Sequence, residues 1–252
     1  MEGFINSEIK NGIGTITFFH PQSNSMPGKQ LLNLATEIEK LGNIPDVKVI
    51  VLKSEGDKTF CAGASFDELI SIKTFEEGVK FFSGFAAVIN AMRKAPKFII
   101  TRVQGKAVGG GVGIAASADY AFATDSASIK LSELAVGIGP FVVGPAVERK
   151  IGNSAFCQLT INATEWQTAK WAKEKGLYSE LYASIEDMDH AIETLVTKLA
   201  KSNPEAMALL KKVMWQGCEN WEELLLERAS MSGKLVLSEF TIKAITKFKQ
   251  KA

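Results

Sequence analysis

Histidine and cysteine are scarce in this chain of 252 residues, which has two of the first and three of the second. His20 and His190 do not stand at metal-ligand spacing, and each reads as a structural or surface residue. Cys61, Cys157 and Cys218 are odd in number and unrelated in spacing, which speaks against a disulfide framework and against a zinc site. A reducing cytoplasm is the expected compartment, and no metal is expected. Excess charge of one sign is missing as well, since 29 basic residues face 28 acidic ones. That balance supplies no general attraction to nucleic acid or to an anionic membrane surface. No apolar run reaches the length of a membrane span, and Glu2, Glu8 and Lys10 interrupt the stretch Met1 to Phe19 in a way foreign to a secretory leader. Small molecules and other protein chains remain as the expected partners.

Apolar residues are plentiful at 46%, enough to fill one large domain or a core with an appendage. Asn11-Gly12 between Ile9 and the pair Ile13 and Ile16 predicts a hairpin. Leu31, Leu34, Ile38 and Leu41 recur at helical spacing after Pro27, and Asn43 to Pro45 stops that helix. Val47 to Leu52 reads as a strand covered on both faces, Phe75 to Met92 as a helix, and Phe98 to Val103 as another strand. Alternating strands and helices argue an α/β fold, and corresponding strands some fifty residues apart hint at a repeated unit. From about Ser184 strand signals stop. Met188, Ile192, Leu195 and Leu199 form a helical stripe, Asn203-Pro204 opens a further helix, and apolar helical character continues to the end. The expected division is a core over 1–195 and a helical region over 196–252, packed on the core or on a neighbouring chain.

Two glycine-containing stretches are candidates for chemistry. In Val103 to Gly113 a predicted strand runs into Gly109-Gly110-Gly111 and then an apolar helix. Glycine admits close backbone approach, so N–H groups here can point at an anion; the other reading is a tight turn that packing requires. The Lys-Ser/Thr of a phosphate-binding P-loop is absent. Phe60-Cys61-Ala62-Gly63-Ala64-Ser65-Phe66 follows an earlier strand and offers a second such turn. Two turns after two neighbouring strands would supply the two donors of an oxyanion hole.

Together these segments resemble the paired signatures of the crotonase, or enoyl-CoA hydratase/isomerase, superfamily. The likeness extends through His20-Pro21 to Asn24-Ser25-Met26, Ala118-Asp119 with Ala121 to Ala123, and Leu131-Ser132-Glu133-Leu134 through Gly137 and Pro140. It implies a crotonase-like spiral of repeated β-β-α units with a C-terminal helical trimerisation region, a homotrimer or dimer of trimers, acyl-CoA substrates, and no cofactor beyond the coenzyme A of the substrate. It places the oxyanion donors on the backbone N–H groups of Ala64 and Gly110, with Ala62, Gly63, Ser65 and Gly109 against the substrate. The terminal Lys247-Phe248-Lys249-Gln250-Lys251 is similar to a region that reaches coenzyme A, which makes Phe248 a candidate contact; a frayed charged tail is the alternative. Gln22-Ser23 stands where the family often has a phosphate-binding Lys or Arg.

Hydrating relatives usually carry two glutamates. The positions that match them here are Gly113 and Glu133, so one is missing. Hydration needs groups to activate water and to manage the C2 proton, whereas moving a proton from C2 to C4 along one face needs a single carboxylate. The resemblance therefore implies 3-enoyl to 2-enoyl-CoA isomerisation through Glu133, and Gly137-Ile138-Gly139-Pro140-Phe141 is similar to a run found in some isomerases. The alternatives are an enoyl-CoA or methylglutaconyl-CoA-type hydratase, and, of another class, a catalytically reduced scaffold. Asp67 and Glu68 read as a solvated helix face or as cavity lining. Cys61 reads as a small buried hydrophobe, and Phe81, Phe82 and Phe85 as a core or interface cluster, in a region that the resemblance implies also shapes the acyl pocket.

Overall fold

The computed structural model describes residues 2–249, with side chains through residue 247. Asn11 and Gly12, with φ of 53° and 79°, form the two-residue turn between β1 (Phe4–Lys10) and β2 (Ile13–Phe19). Leu31, Leu34, Ile38 and Leu41 line the buried stripe of α1 (Gly28–Asn43). β3 (Val49–Ser54) starts two residues later than the periodicity predicts, because Val47 and Lys48 donate their N–H groups to Ile44 and Gly12 in turns. β4 (Thr59–Cys61) leads to α2 (Phe66–Ser71), and a Thr74–Glu77 capping box opens α3 (Phe75–Lys94). Next come β5 (Phe98–Val103), β6 (Lys106–Val108) and the seven-residue α4 (Gly110–Ala116). β7 (Tyr120–Thr124), β8 (Ser128–Lys130), a 3-10 turn at Leu134–Val136 and α5 (Gly144–Ile161) repeat the sequence of elements. β9 (Gln167–Thr168), α6 (Ala169–Glu174) and β10 (Glu180–Tyr182) close the strand-bearing part. α7 (Ile185–Ala200), α8 (Pro204–Met214), α9 (Trp221–Leu235) and α10 (Glu239–Lys249) follow.

From β3 to β8, successive strands go alternately into two sheets. One has the order β1-β2-β3-β5-β7-β10, parallel from β2 onward, and the other β4-β6-β8-β9, parallel through β8. The fifty-residue period holds from Val49 to Phe98, but the next interval, Phe98 to Tyr120, is 22 residues because α4 is short. β3 is apolar throughout because Ile50 and Leu52 enter the main core while Val49 and Val51 pack under Met188, Ile192 and Val196 of α7. The expected division between 195 and 196 thus falls inside a helix that covers the outer face of the large sheet.

Two devices fasten the last helices to the core. The Lys211 ammonium of α8 lies 2.8 Å from Asp119, both buried, and Asp119 also accepts from Trp215 Nε1 at 2.9 Å and from the Ile99 N–H at 2.7 Å. α9 crosses α3 at Gly233 and Gly78, where a Cβ on Gly78 would meet Gly233 Cα at 2.8 Å. Among the described residues no helix is long and apolar enough to cross a membrane.

Candidate active site

β4, β6 and β8 are adjacent and parallel, so their C-terminal ends open on one side of the small sheet. Each end delivers one group: Ala62-Gly63-Ala64 after β4, Gly109-Gly110 after β6, and Ser132-Glu133 after β8. The carboxyl ends of parallel strands are where α/β folds place ligands. All of these residues line one cavity of about 600 Å³, counting its open mouth.

The register of Ala64 explains its availability as a donor. Met26 forms a parallel bridge to it, giving its own N–H to Gly63 at 2.7 Å and accepting from Ser65 at 3.3 Å. Both bonds use the neighbours of Ala64 and leave its N–H facing the other way. Gly63, at φ +85°, brings the turn against β6 so closely that a Cβ would stand 2.7 Å from the Val108 carbonyl. On the other side, the Gly109 N–H bonds to the Lys130 carbonyl at 2.8 Å, tying the second turn to β8. Gly110 then begins α4, where a first-turn N–H has no helical acceptor. Neither the Ala64 nor the Gly110 N–H meets a protein acceptor among the described residues.

Glu133 caps the 3-10 turn Leu134–Val136, and its carboxylate lies over Gly109, where a Cβ would come within 2.9 Å of Oε1. Oε2 is shut off from solvent with no hydrogen-bond partner among the described residues. Burial pushes its pKa up to about 7. Other polar groups nearby are turned to structural tasks. The Ser65 hydroxyl accepts from Glu68 N–H at 3.4 Å, capping α2, and Ser65 is not among the residues that line the cavity. Glu68 accepts from the Gly28 N–H at 2.7 Å at the start of α1; Asp67 accepts from the Gln22 amide on an exposed helix face, and neither lines this cavity. His20 Nδ1 lies 3.0 Å from the Ser25 hydroxyl, and burial raises the Cys61 thiol pKa to about 12, which suits packing rather than reactivity.

Gly113 does not line this cavity. A Cβ there would meet Val143 at 2.4 Å, so the place of a second glutamate is occupied by a packed valine. Phe82 and Phe85 of the aromatic cluster do line the cavity, and Phe85 rests on Gly110 so tightly that a Cβ would stand 2.1 Å from its ring. Phe81 turns into a neighbouring surface groove. Phe248 lies in the last turn of α10, its side chain outside the described residues. Sequence reasoning missed Phe66, Leu69, Val142, Val143 and Ser232 as cavity walls. No local pattern marks them, because packing between distant elements assembles them. Among the described residues, no group of three His, Cys, Asp or Glu side chains is placed to hold a metal.

The chain is similar to known proteins in sequence and in fold. A family model described as enoyl-CoA hydratase/isomerase matches residues 8–251. Human mitochondrial methylglutaconyl-CoA hydratase is 30% identical over 200 residues, which is 78% of this chain and 58% of that protein. The peroxisomal delta(3,5)-delta(2,4)-dienoyl-CoA isomerase of Arabidopsis thaliana is 26% identical over 240 residues, covering 87% of this chain and 84% of that one. The crystal structure of an enoyl-CoA hydratase from Bacillus halodurans superposes with a TM-score of 0.89 at 19% identity, over 96% of this chain and 99% of that one. At that identity the likeness establishes the fold.

Proposed function

The chain belongs to the enoyl-CoA hydratase/isomerase family, and on that premise we propose that it isomerises 3-enoyl-CoA to 2-enoyl-CoA with Glu133 as the one acid–base group. The Ala64 and Gly110 N–H groups hold the thioester oxygen. Glu133 takes a proton from C2, the electron pair spreads over a dienolate whose oxygen sits between the two donors, and the same carboxyl returns the proton at C4. Atoms and charge balance without an oxidant, a reductant or a cofactor other than the coenzyme A of the substrate. A carboxyl poised near pH 7 both accepts and gives a proton with little driving force wasted.

The observation that carries this reading is that Glu133 is the single carboxylate in the cavity among the described residues, with the second position backed against Val143. Hydration is the second reading, favoured by the hydratase name of the human relative. A methylglutaconyl-type substrate would bring another carboxylate into a cavity lined by no Lys, Arg or His among the described residues, at a steep desolvation cost. The test supplies matched 3-enoyl and 2-enoyl-CoA thioesters and resolves products by mass spectrometry and NMR. Interconversion of the two double-bond isomers in excess over 3-hydroxyacyl product is expected. Dominant 3-hydroxyacyl product would transfer Glu133 to the hydratase reading.

A further inference from the structure

Ser232 is a buried polar residue on the cavity wall that the proposed reaction does not use. It lies on α9, 1% exposed, and lines the cavity beside Phe82 and Phe85. The close crossing of Gly233 on Gly78 puts it there, since it draws the α9 backbone onto α3. A helical serine ordinarily bonds back to the carbonyl four residues earlier, as Ser230 does to Leu226 at 3.1 Å. Ser232 makes no such bond, and its hydroxyl meets no protein partner among the described residues. A hydroxyl on the cavity wall can bond a ligand or water there, which an alanine could not do.

We propose that Ser232 is a specificity-determining residue whose hydroxyl meets a neutral hydrogen-bonding group, such as a hydroxyl or carbonyl, on the acyl chain beyond the reacting carbons. Neutrality follows from the lining: among the described residues no Lys, Arg or His contributes to it, and Glu133 shares the same space. Arg228, one turn earlier on α9, sets Nη1 4.0 Å from the Met231 sulfur and is not part of the cavity wall. The proposal rests on the reading of this cavity as the acyl site, and goes beyond it by naming the class of acyl group.

Binding of saturated acyl-CoA thioesters, measured by calorimetry, tests this without any turnover. Short- to medium-chain members are each compared with their ω-hydroxy and ω-carboxy counterparts. At one chain length the ω-hydroxy member should bind tighter than the plain one by about fivefold to tenfold, the effect of one neutral hydrogen bond. Ser232→Ala and the near-isosteric Ser232→Cys should each remove that preference. Should Ser232→Ala fail to fold, Ser232→Cys carries the comparison alone. A plain chain that binds tighter at every length, an unchanged preference in the variants, or tightest binding of an ω-carboxy chain overturns the proposal. If the preference is present while no 3-enoyl thioester is isomerised, the reaction assigned above fails and the specificity assignment stands. Failure of every thioester to bind overturns both.

Discussion

Glu133 sets the sharpest expectations at the scale of single residues. Glu133→Gln keeps size but cannot take a proton, so exchange of the C2 proton in deuterated water should disappear, as followed by NMR. Because the carboxylate must be ionised to act, kcat/KM should rise with pH through about 7 in the native protein. The linkage to stability has the opposite sign. A carboxyl whose folded pKa is raised stabilises the fold below its unfolded value, near 4.5, and that advantage is lost as pH rises through about 7. Glu133→Gln should therefore melt higher than the native protein at pH 8, by up to a few kcal/mol in stability, and the difference should shrink toward pH 5. Gly109→Ala tests the placement of that carboxyl: the methyl would enter at 2.9 Å from Oε1, at a φ of +52° that side chains rarely adopt. Turnover should fall on the order of a hundredfold with a smaller change in KM. For the donor at Gly110, every side chain collides with Phe85, so a backbone ester in place of the amide is the clean probe, with an expected loss of about a hundredfold to a thousandfold. Glu133, Ala64 and Gly110 were singled out through the resemblance, which works on contiguous motifs, and the fold brings all three to one cavity. Val143 and Ser232 were not, because their relation to Gly113 and to Phe82 exists only after α5 and α9 have packed.

Among the elements, the helices after β10 differ in how firmly they are held. α8 hangs on the buried Lys211–Asp119 pair, with Trp215 and the Ile99 amide completing the shell of the carboxylate. Lys211→Met leaves Asp119 buried without its cation, and a loss of about 3–5 kcal/mol is expected in denaturant titrations. Lys94→Met, which removes an exposed partner of Glu222, serves as the contrast and should leave the titration nearly unmoved. Strand and helix types were legible here from apolar spacing, and Phe98–Val103 matches its expected bounds. The grouping of α7 was not, since a stripe of apolar residues says that a helix is buried on one side without saying against what. Val49 and Val51, on the hidden face of β3, supply the answer.

For the whole molecule, the spiral was legible through the resemblance rather than through repeated sequence, and the uneven spacing of β3, β5 and β7 explains why repetition is hard to see. We propose a homotrimer or dimer of trimers, supported by apolar side chains left exposed on the C-terminal helices, among them Leu209, Leu210 and Val213 on α8 and Phe240 and Ile242 on α10. Sedimentation velocity should give a mass of three or six chains, and a monomer at every working concentration would refute it. One consequence reaches beyond catalysis. The three groups of the site come from three successive coils of the chain, at positions 64, 110 and 133, joined only through non-local parallel pairings. Such pairings form slowly. Regained turnover after dilution from denaturant therefore works as a clock for the stacking of the coils, and it should start only after helical circular dichroism has largely returned.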